Sequence, residues 1–176
     1  ESSAASDVYK RQALAEWDKS KGNFALYNED GINYEELFAY KNEHHTVLGF
    51  PGAKEISDEE FWTGKYDILV PAALENVITY DVAKKLNVKL VCEAANGPTT
   101  PEGDKGLAEV NIPLVPDILT NSGGVLVSYY EWVQNQYGYY WTEKEVEEKQ
   151  EADMMKAING VFGLSLIHIS EPTRRY

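Results

Sequence analysis

The sequence predicts an α/β fold built around a parallel sheet, and three observations carry that prediction. Short apolar runs recur at Asp67-Ile-Leu-Val70, Val88-Lys-Leu-Val-Cys92 and Ile112-Pro-Leu-Val115, with helical patterns between them. That alternation is the signature of parallel-sheet α/β units. A cap-forming residue opens each of several helical stretches, and a segment of small and polar residues follows each apolar run. No repeat, low-complexity stretch or Pro/Gly/Ser linker divides the chain, so one domain is expected.

Taken in order, Ala13-Leu-Ala15 ends a first strand at Glu16-Trp-Asp18. Residues Lys19 to Gly31, rich in Lys, Asn, Gly and Asp, read as a turn region. Asn33 can cap a helix carrying Tyr34, Leu37, Phe38 and Tyr40. Ser57-Asp-Glu-Glu60 has capping-box spacing and starts a short helix with Phe61 and Trp62. The run Asp67 to Val70 is a buried strand stopped by Pro71. Thr79 then opens a helix bearing Val82, Ala83 and Leu86, and Val88 to Cys92 is the next strand. Thr100-Pro-Glu102 places a cap and an N1 proline at a further helix start. Ile112 to Val115 is the last strand, and Pro116-Asp117 turns the chain out of it. Two long helical patterns follow, over about 124–136 and about 142–161.

Composition narrows the function classes. The chain has 43% hydrophobic and 26% charged residues, ordinary for a globular protein. No apolar run approaches the roughly 18 to 20 residues a membrane span needs, and no basic-then-apolar signal pattern opens the chain. One cysteine, Cys92, excludes a disulfide framework and points to a reducing cytoplasm, with the thiol read as a small buried hydrophobe. The net charge is −13, so nucleic acid would meet repulsion instead of releasing counterions. Of the three histidines, His44 and His45 lie at a polar helix end and His168 in the terminal tail, and none has metal-ligand spacing.

The two ends share a hidden relationship. Asp7-Val-Tyr-Lys-Arg-Gln12 back-translates to GAT GTG TAT AAG AGA CAG, whose reverse complement encodes Leu-Ser-Leu-Ile-His-Ile, the residues Leu164 to Ile169. The DNA resembles a transposon end used in sequencing libraries. Ser2 to Ser6 and Ser170 to Arg174 fit its flanking adapter arms. Residues 1–12 and 164–176 are therefore expected to be adapter-derived scars, the first of them disordered, leaving 13–163 as the insert.

In an open α/β sheet, ligands collect where the chain leaves the carboxyl ends of strands. Three segments fall there: Pro71 to Asn76, Glu93 to Thr100 and Asp117 to Val125. Their small residues let backbone approach a flat ligand, and their asparagine amides both donate and accept. Any one alone reads as a loop; three after successive strands favour a ligand crevice.

Val70-Pro-Ala-Ala-Leu-Glu-Asn-Val-Ile78, Glu93-Ala-Ala-Asn-Gly-Pro-Thr-Thr-Pro-Glu102 and Pro116 through Gly123-Gly-Val125 to Trp132 closely resemble the cofactor domain of glutamate dehydrogenases. The resemblance covers essentially Ala13 to Phe162. It implies an incomplete doubly wound, Rossmann-type sheet that lacks its first strand and its glycine-rich pyrophosphate turn. The implied activity is reversible deamination of L-glutamate to 2-oxoglutarate and ammonia, with hydride passing to a nicotinamide, in a cytoplasmic homo-hexamer. Glu16 and Asp18 stand where the family places the acid for the adenosine ribose. Two carboxylates would repel a 2′-phosphate, so NAD is expected over NADP; solvated turn acids are the plainer reading. Ala72, Ala73 and Asn76 match the segment that passes along the cofactor. Asn96 and Asn121 match asparagines that hold the nicotinamide ribose and carboxamide, or else they stabilise loops.

Val125 and Ser128 share a helix face, which in the family closes over substrate, the serine reaching the side-chain carboxylate of glutamate. As bare sequence Ser128 is a helix serine bonding back to a carbonyl. Tyr129, Tyr130, Trp132, Tyr137, Tyr139, Tyr140 and Trp141 read as helix packing and subunit contact. Catalytic residues are expected in a preceding domain that the chain lacks, so the chain alone is expected to be inactive. A leucine- or phenylalanine-type dehydrogenase fragment and a non-catalytic dinucleotide-binding or interaction module are the alternatives.

Overall fold

In the computed structural model, the described backbone comprises residues 12–18 and 22–167, and the described side chains are those of 24–163. Residues 1–11 and 168–176, which hold most of the two expected scars and His168, lie outside the described residues. Gln12, expected to belong to the first scar, begins a strand. The last helix runs to Ile167, past the boundary expected at 163.

Among the described residues, two three-stranded sheets organise the fold. In the first, β1 (Gln12–Asp18), β2 (Gly22–Asn28) and β3 (Lys54–Ile56) are antiparallel neighbours in that order. The β1–β2 register runs from Gln12↔Asn28 to Asp18↔Gly22. This corrects the turn expected over 19–31. Phe24-Ala-Leu-Tyr27 is apolar and aromatic enough to favour a strand, and only residues 19–21 connect the pair. So short a link can join only antiparallel neighbours, because a parallel pair needs a crossover of a dozen or more residues. The first strand therefore lies in the antiparallel sheet and does not extend the parallel one.

The second sheet is parallel, with β4 (Lys65–Leu69), β5 (Asn87–Cys92) and β6 (Leu114–Val115) in that order. Helix α3 (Tyr80–Lys85) lies on the first crossover and α4 (Pro101–Glu109) on the second. Both begin as the sequence predicts. Thr79 accepts from the Val82 amide and Thr100 from the Gly103 amide, so each cap satisfies a donor with no partner inside its helix. Asn33 caps α1 (Tyr34–His44), and Ser57 with Glu60 forms a reciprocal capping box on α2 (Asp58–Thr63).

Strand β2 alternates between two cores, as strand pleating requires. Ala25 faces a cluster with Phe61, Leu69, Ile78, Ala83, Leu86, Val88, Val91 and Leu107. Its neighbours Phe24 and Leu26 face a second cluster with Val47 and Phe50. The first cluster joins the parallel sheet to α2, α3 and α4, so it fixes the strand ends that carry the candidate site. Helix α1 is less committed than its pattern suggests. Leu37 and Tyr40 pack on the second cluster, but Tyr34 and Phe38 remain exposed.

The chain then forms α5 (Asp117–Thr120), α6 (Ser122–Tyr137) and α7 (Glu143–Ile167). No helix among the described residues is long and apolar enough to cross a membrane. Helices α6 and α7 are tied by Tyr130, whose buried hydroxyl donates to Asp153 at 2.7 Å, and Trp141 packs edge-on against the Tyr130 ring. Burial first, and then the Asp153 hydrogen bond, push the Tyr130 phenol up to about 12, against about 10 for a free tyrosine. A value raised on folding contributes stability that is fully present below about pH 10 and is lost as pH climbs through about 12. Tyrosinate absorbance of the native chain minus that of Tyr130→Phe should therefore show one phenol ionising near the upper value. A difference curve centred on the ordinary value would mean that the helix pair is open in solution.

Candidate functional site

The loops leaving the carboxyl ends of β4, β5 and β6 are stitched together by backbone hydrogen bonds. The Pro71 carbonyl accepts from the Ala94 and Ala95 amides at 3.0 and 2.8 Å. Further along, the Asn76 amide donates to Gly97 and the Ile78 amide to Pro98, both at 2.9 Å, and the Thr100 amide returns to Ile78 at 3.0 Å. The first two loops thus continue the parallel pairing beyond the strands. The third joins through side chains. The Asp117 amide donates to Glu93 Oε2 at 3.0 Å, and Asp117 Oδ2 accepts from the Gly97 amide at 2.8 Å.

Local conformation explains two residues of this rim. Asn76 has φ 56°, a left-handed geometry that asparagine tolerates better than most side chains. Gly97 has φ 53°, with open space where a Cβ would stand. Backbone conformation, and not crowding, calls for glycine there.

The structure brings most of the sequence-predicted site residues to this rim. Ala72, Ala73 and Asn76 are exposed on the first loop. Asn96 and Asn121 meet directly, Asn121 Nδ2 donating to Asn96 Oδ1 at 2.7 Å. The contact uses one acceptor of Asn96 and one donor of Asn121. The pair retains an amide donor on the first and an acceptor on the second, the complement of a carboxamide. Val125 and Ser128 follow on α6, and both are exposed. Ser128 Oγ donates back to the Gly124 carbonyl at 3.1 Å, the bond expected of a helix serine, and keeps its lone pairs as acceptors. Glu16 and Asp18 are not gathered here. They lie on β1 in the other sheet, and their side chains are outside the described residues.

Two residues of the arrangement carried no role in the sequence reading, Glu93 and Asp117. The available signal was the position of Glu93, a carboxylate directly after an apolar strand. It is 2% exposed, a burial rare for glutamate unless it is partnered. Cys92 beside it is half-buried, and burial raises its thiol, which leaves it poorly nucleophilic.

Chemically the rim offers amides, carbonyls and carboxylates. Residues 70–78, 93–100 and 117–128 contain no lysine, arginine or histidine. It can orient a flat polar ligand, and it has no cation of its own to activate a substrate. A shallow depression of ≈ 490 Å³ lies away from these loops, lined by Tyr27, Asn28, Glu29, Pro51, Gly52, Ala53 and Lys54. There Asn28 Nδ2 already donates to the Gly52 carbonyl.

An open parallel sheet with three loops gathered at the strands' carboxyl ends defines the class, a crevice-type α/β domain. The chain belongs to the Glutamate/Leucine/Phenylalanine/Valine dehydrogenase family, whose model matches residues 18–165. It is 74% identical over 153 residues to the NAD-specific glutamate dehydrogenase of Peptoniphilus asaccharolyticus, covering 87% of this chain and 36% of that protein. The crystal structure of glutamate dehydrogenase from that organism superposes with a TM-score of 0.71 at 65% identity, over 87% of this chain and 33% of the other. The NAD-specific glutamate dehydrogenase of Clostridioides difficile is 59% identical over 150 residues, 85% of this chain and 36% of the relative. A hetero-hexameric glutamate dehydrogenase from Thermus thermophilus, 27% identical, gives a TM-score of 0.73 over 80% of this chain and 33% of that one. The chain thus spans about a third of the length of the relatives it matches.

Proposed function

We propose that residues 13–163 are part of the cofactor half of an NAD-dependent glutamate dehydrogenase, with adapter-derived sequence on either side. The proposed reaction is reversible deamination of L-glutamate to 2-oxoglutarate and ammonia. The observation that carries this reading is the Asn96–Asn121 amide pair on the rim, where a nicotinamide carboxamide and ribose would be held. Ala72, Ala73 and Asn76 would pass along the cofactor. Val125 and Ser128 would close over the substrate, Ser128 turning its hydroxyl from the Gly124 carbonyl to donate to the side-chain carboxylate of glutamate. NAD, when bound, supplies the hydride acceptor; the protein's part is to orient it and exclude water.

Glu16 and Asp18, at the end of β1 and away from the rim, would favour NAD by repelling a 2′-phosphate where the intact fold brings the adenosine ribose to them. The relatives named NAD-specific support the same choice. The intact enzyme is proposed to be cytoplasmic and hexameric, as the Thermus thermophilus relative is named hetero-hexameric. The exposed Tyr129, Trp132, Tyr137, Tyr139 and Tyr140 would supply packing surface. With no cation on its rim, the chain alone is expected to give no turnover, since hydride transfer needs the substrate held against the nicotinamide.

The test is to complete residues 13–163 with the flanking sequence of the Peptoniphilus asaccharolyticus enzyme and to assay glutamate and leucine with NAD and NADP. Turnover of glutamate with NAD, at least about tenfold above leucine or NADP, is the expected result; a ratio of that size corresponds to roughly 1.4 kcal/mol of discrimination. Turnover of leucine with none of glutamate would overturn the assignment.

A further inference from the structure

We infer that Glu93 and Asp117 are positioning residues that set the Asn96–Asn121 pair for the nicotinamide end of the cofactor. The inference rests on the reading of those asparagines given above. Glu93 begins the loop after β5, and its amide donates to the Val115 carbonyl at 3.0 Å, so its backbone is fixed against β6. Its side chain is 2% exposed and reaches across to the Asp117 amide at 3.0 Å. That amide is the first of α5, a helix whose N-cap, Pro116, makes no side-chain cap. Glu93 therefore supplies, from the loop after β5, an acceptor for the Asp117 amide that the capless Pro116 does not.

Asp117 passes the constraint on in both directions. Its Oδ2 accepts from the Gly97 amide at 2.8 Å, fixing the residue beside Asn96. Its carbonyl accepts from the Asn121 amide at 3.0 Å, fixing the other member of the pair. Gly97 has φ 53° and no neighbour within contact distance of its Cβ position, so no side chain packs at Gly97 itself, although Pro98 after it is fully buried. Gly97 is held by hydrogen bonds, its carbonyl accepting from the Asn76 amide and its amide donating to the Asp117 carboxylate. A buried carboxylate is expensive to keep when apolar packing would serve stability equally well. A role in geometry accounts for its presence in an otherwise apolar strand end.

The test uses the completed full-length enzyme and compares NADH with ADP, which has the adenosine half and no nicotinamide. Glu93→Gln keeps the shape and removes the charge, Glu93→Asp keeps the charge and shortens the reach, and Asp117→Asn weakens the hold on Gly97 from a half-exposed position that tolerates substitution. Each is expected to weaken NADH binding about tenfold, the scale of one charge-assisted hydrogen bond, with ADP affinity within about twofold and a cooperative thermal transition retained at a somewhat lower midpoint. A merely structural role would lower both affinities together, and that result would overturn the inference. Asn121→Ala separates the two claims. If it shifts the NADH-to-ADP ratio while the Glu93 and Asp117 variants do not, the positioning role fails and the cofactor reading stands. If it leaves the ratio unchanged, the cofactor reading fails and takes the inference with it.

Discussion

Gly103→Ala is expected to destabilise the chain by about 3 kcal/mol or more, a large part of the net stability of an ordinary domain. A Cβ built at Gly103 would stand 2.1 Å from the Ile78 carbonyl oxygen and 3.0 Å from Thr99 Cγ2. The carbonyl has nowhere to retreat. Ile78 is fully buried, its oxygen accepts from the Thr100 amide, and its own amide donates to Pro98. Helix α4 would have to lift off the loops, and the Gly103 amide would lose its bond to Thr100 Oγ1, now 2.9 Å. Intrinsic propensity acts the other way, because alanine in a helix interior is better than glycine by about 1 kcal/mol. Gly160→Ala isolates that term. Gly160 lies on α7 with no neighbour within contact distance of its Cβ position, and a gain of about 0.5–1 kcal/mol is expected there. Urea midpoints of the two variants should move in opposite directions. A Gly103→Ala midpoint at or above the parent's would show that α4 does not sit this close to Ile78.

The same local chemistry explains which parts of the fold were legible in the sequence. Asn33, Ser57, Thr79 and Thr100 each cap the helix their residue type predicts, because a cap is decided within four residues. The three parallel strands were legible as apolar runs for the same reason. Strand β2 was not. Its apolar core Phe24 to Tyr27 is flanked by Gly22, Asn23, Asn28 and Gly31, so turn chemistry dominates the window, and the strand exists because β1 and β3 pair with it on both sides. At the site, the three loops were visible from their amides and small residues, and so was the possibility that Ser128 bonds backward to Gly124. The Asn96–Asn121 contact and the Glu93–Asp117–Gly97 chain link residues 20 to 25 positions apart. No local pattern encodes such pairings. They follow from the order of β5 beside β6.

That amide contact also governs how substitutions at the rim should combine in the completed enzyme. Asn96→Ala and Asn121→Ala are each expected to lower kcat about a hundredfold, the penalty typical of misplacing a reacting group by an ångström. With the cofactor held as proposed, removal of either asparagine would delete more than one ligand contact, because the 2.7 Å bond between them would aim the partner's remaining donor or acceptor. The second substitution then removes a group that has already lost its aim. The double variant should fall little below either single one, giving a coupling energy of about 2 kcal/mol in a double-mutant cycle. Steady-state kinetics at saturating NAD and glutamate measures this directly. Losses that multiply to about ten-thousandfold would mean that the asparagines act on the cofactor independently. Single variants with the parent kcat would remove the pair from the active site.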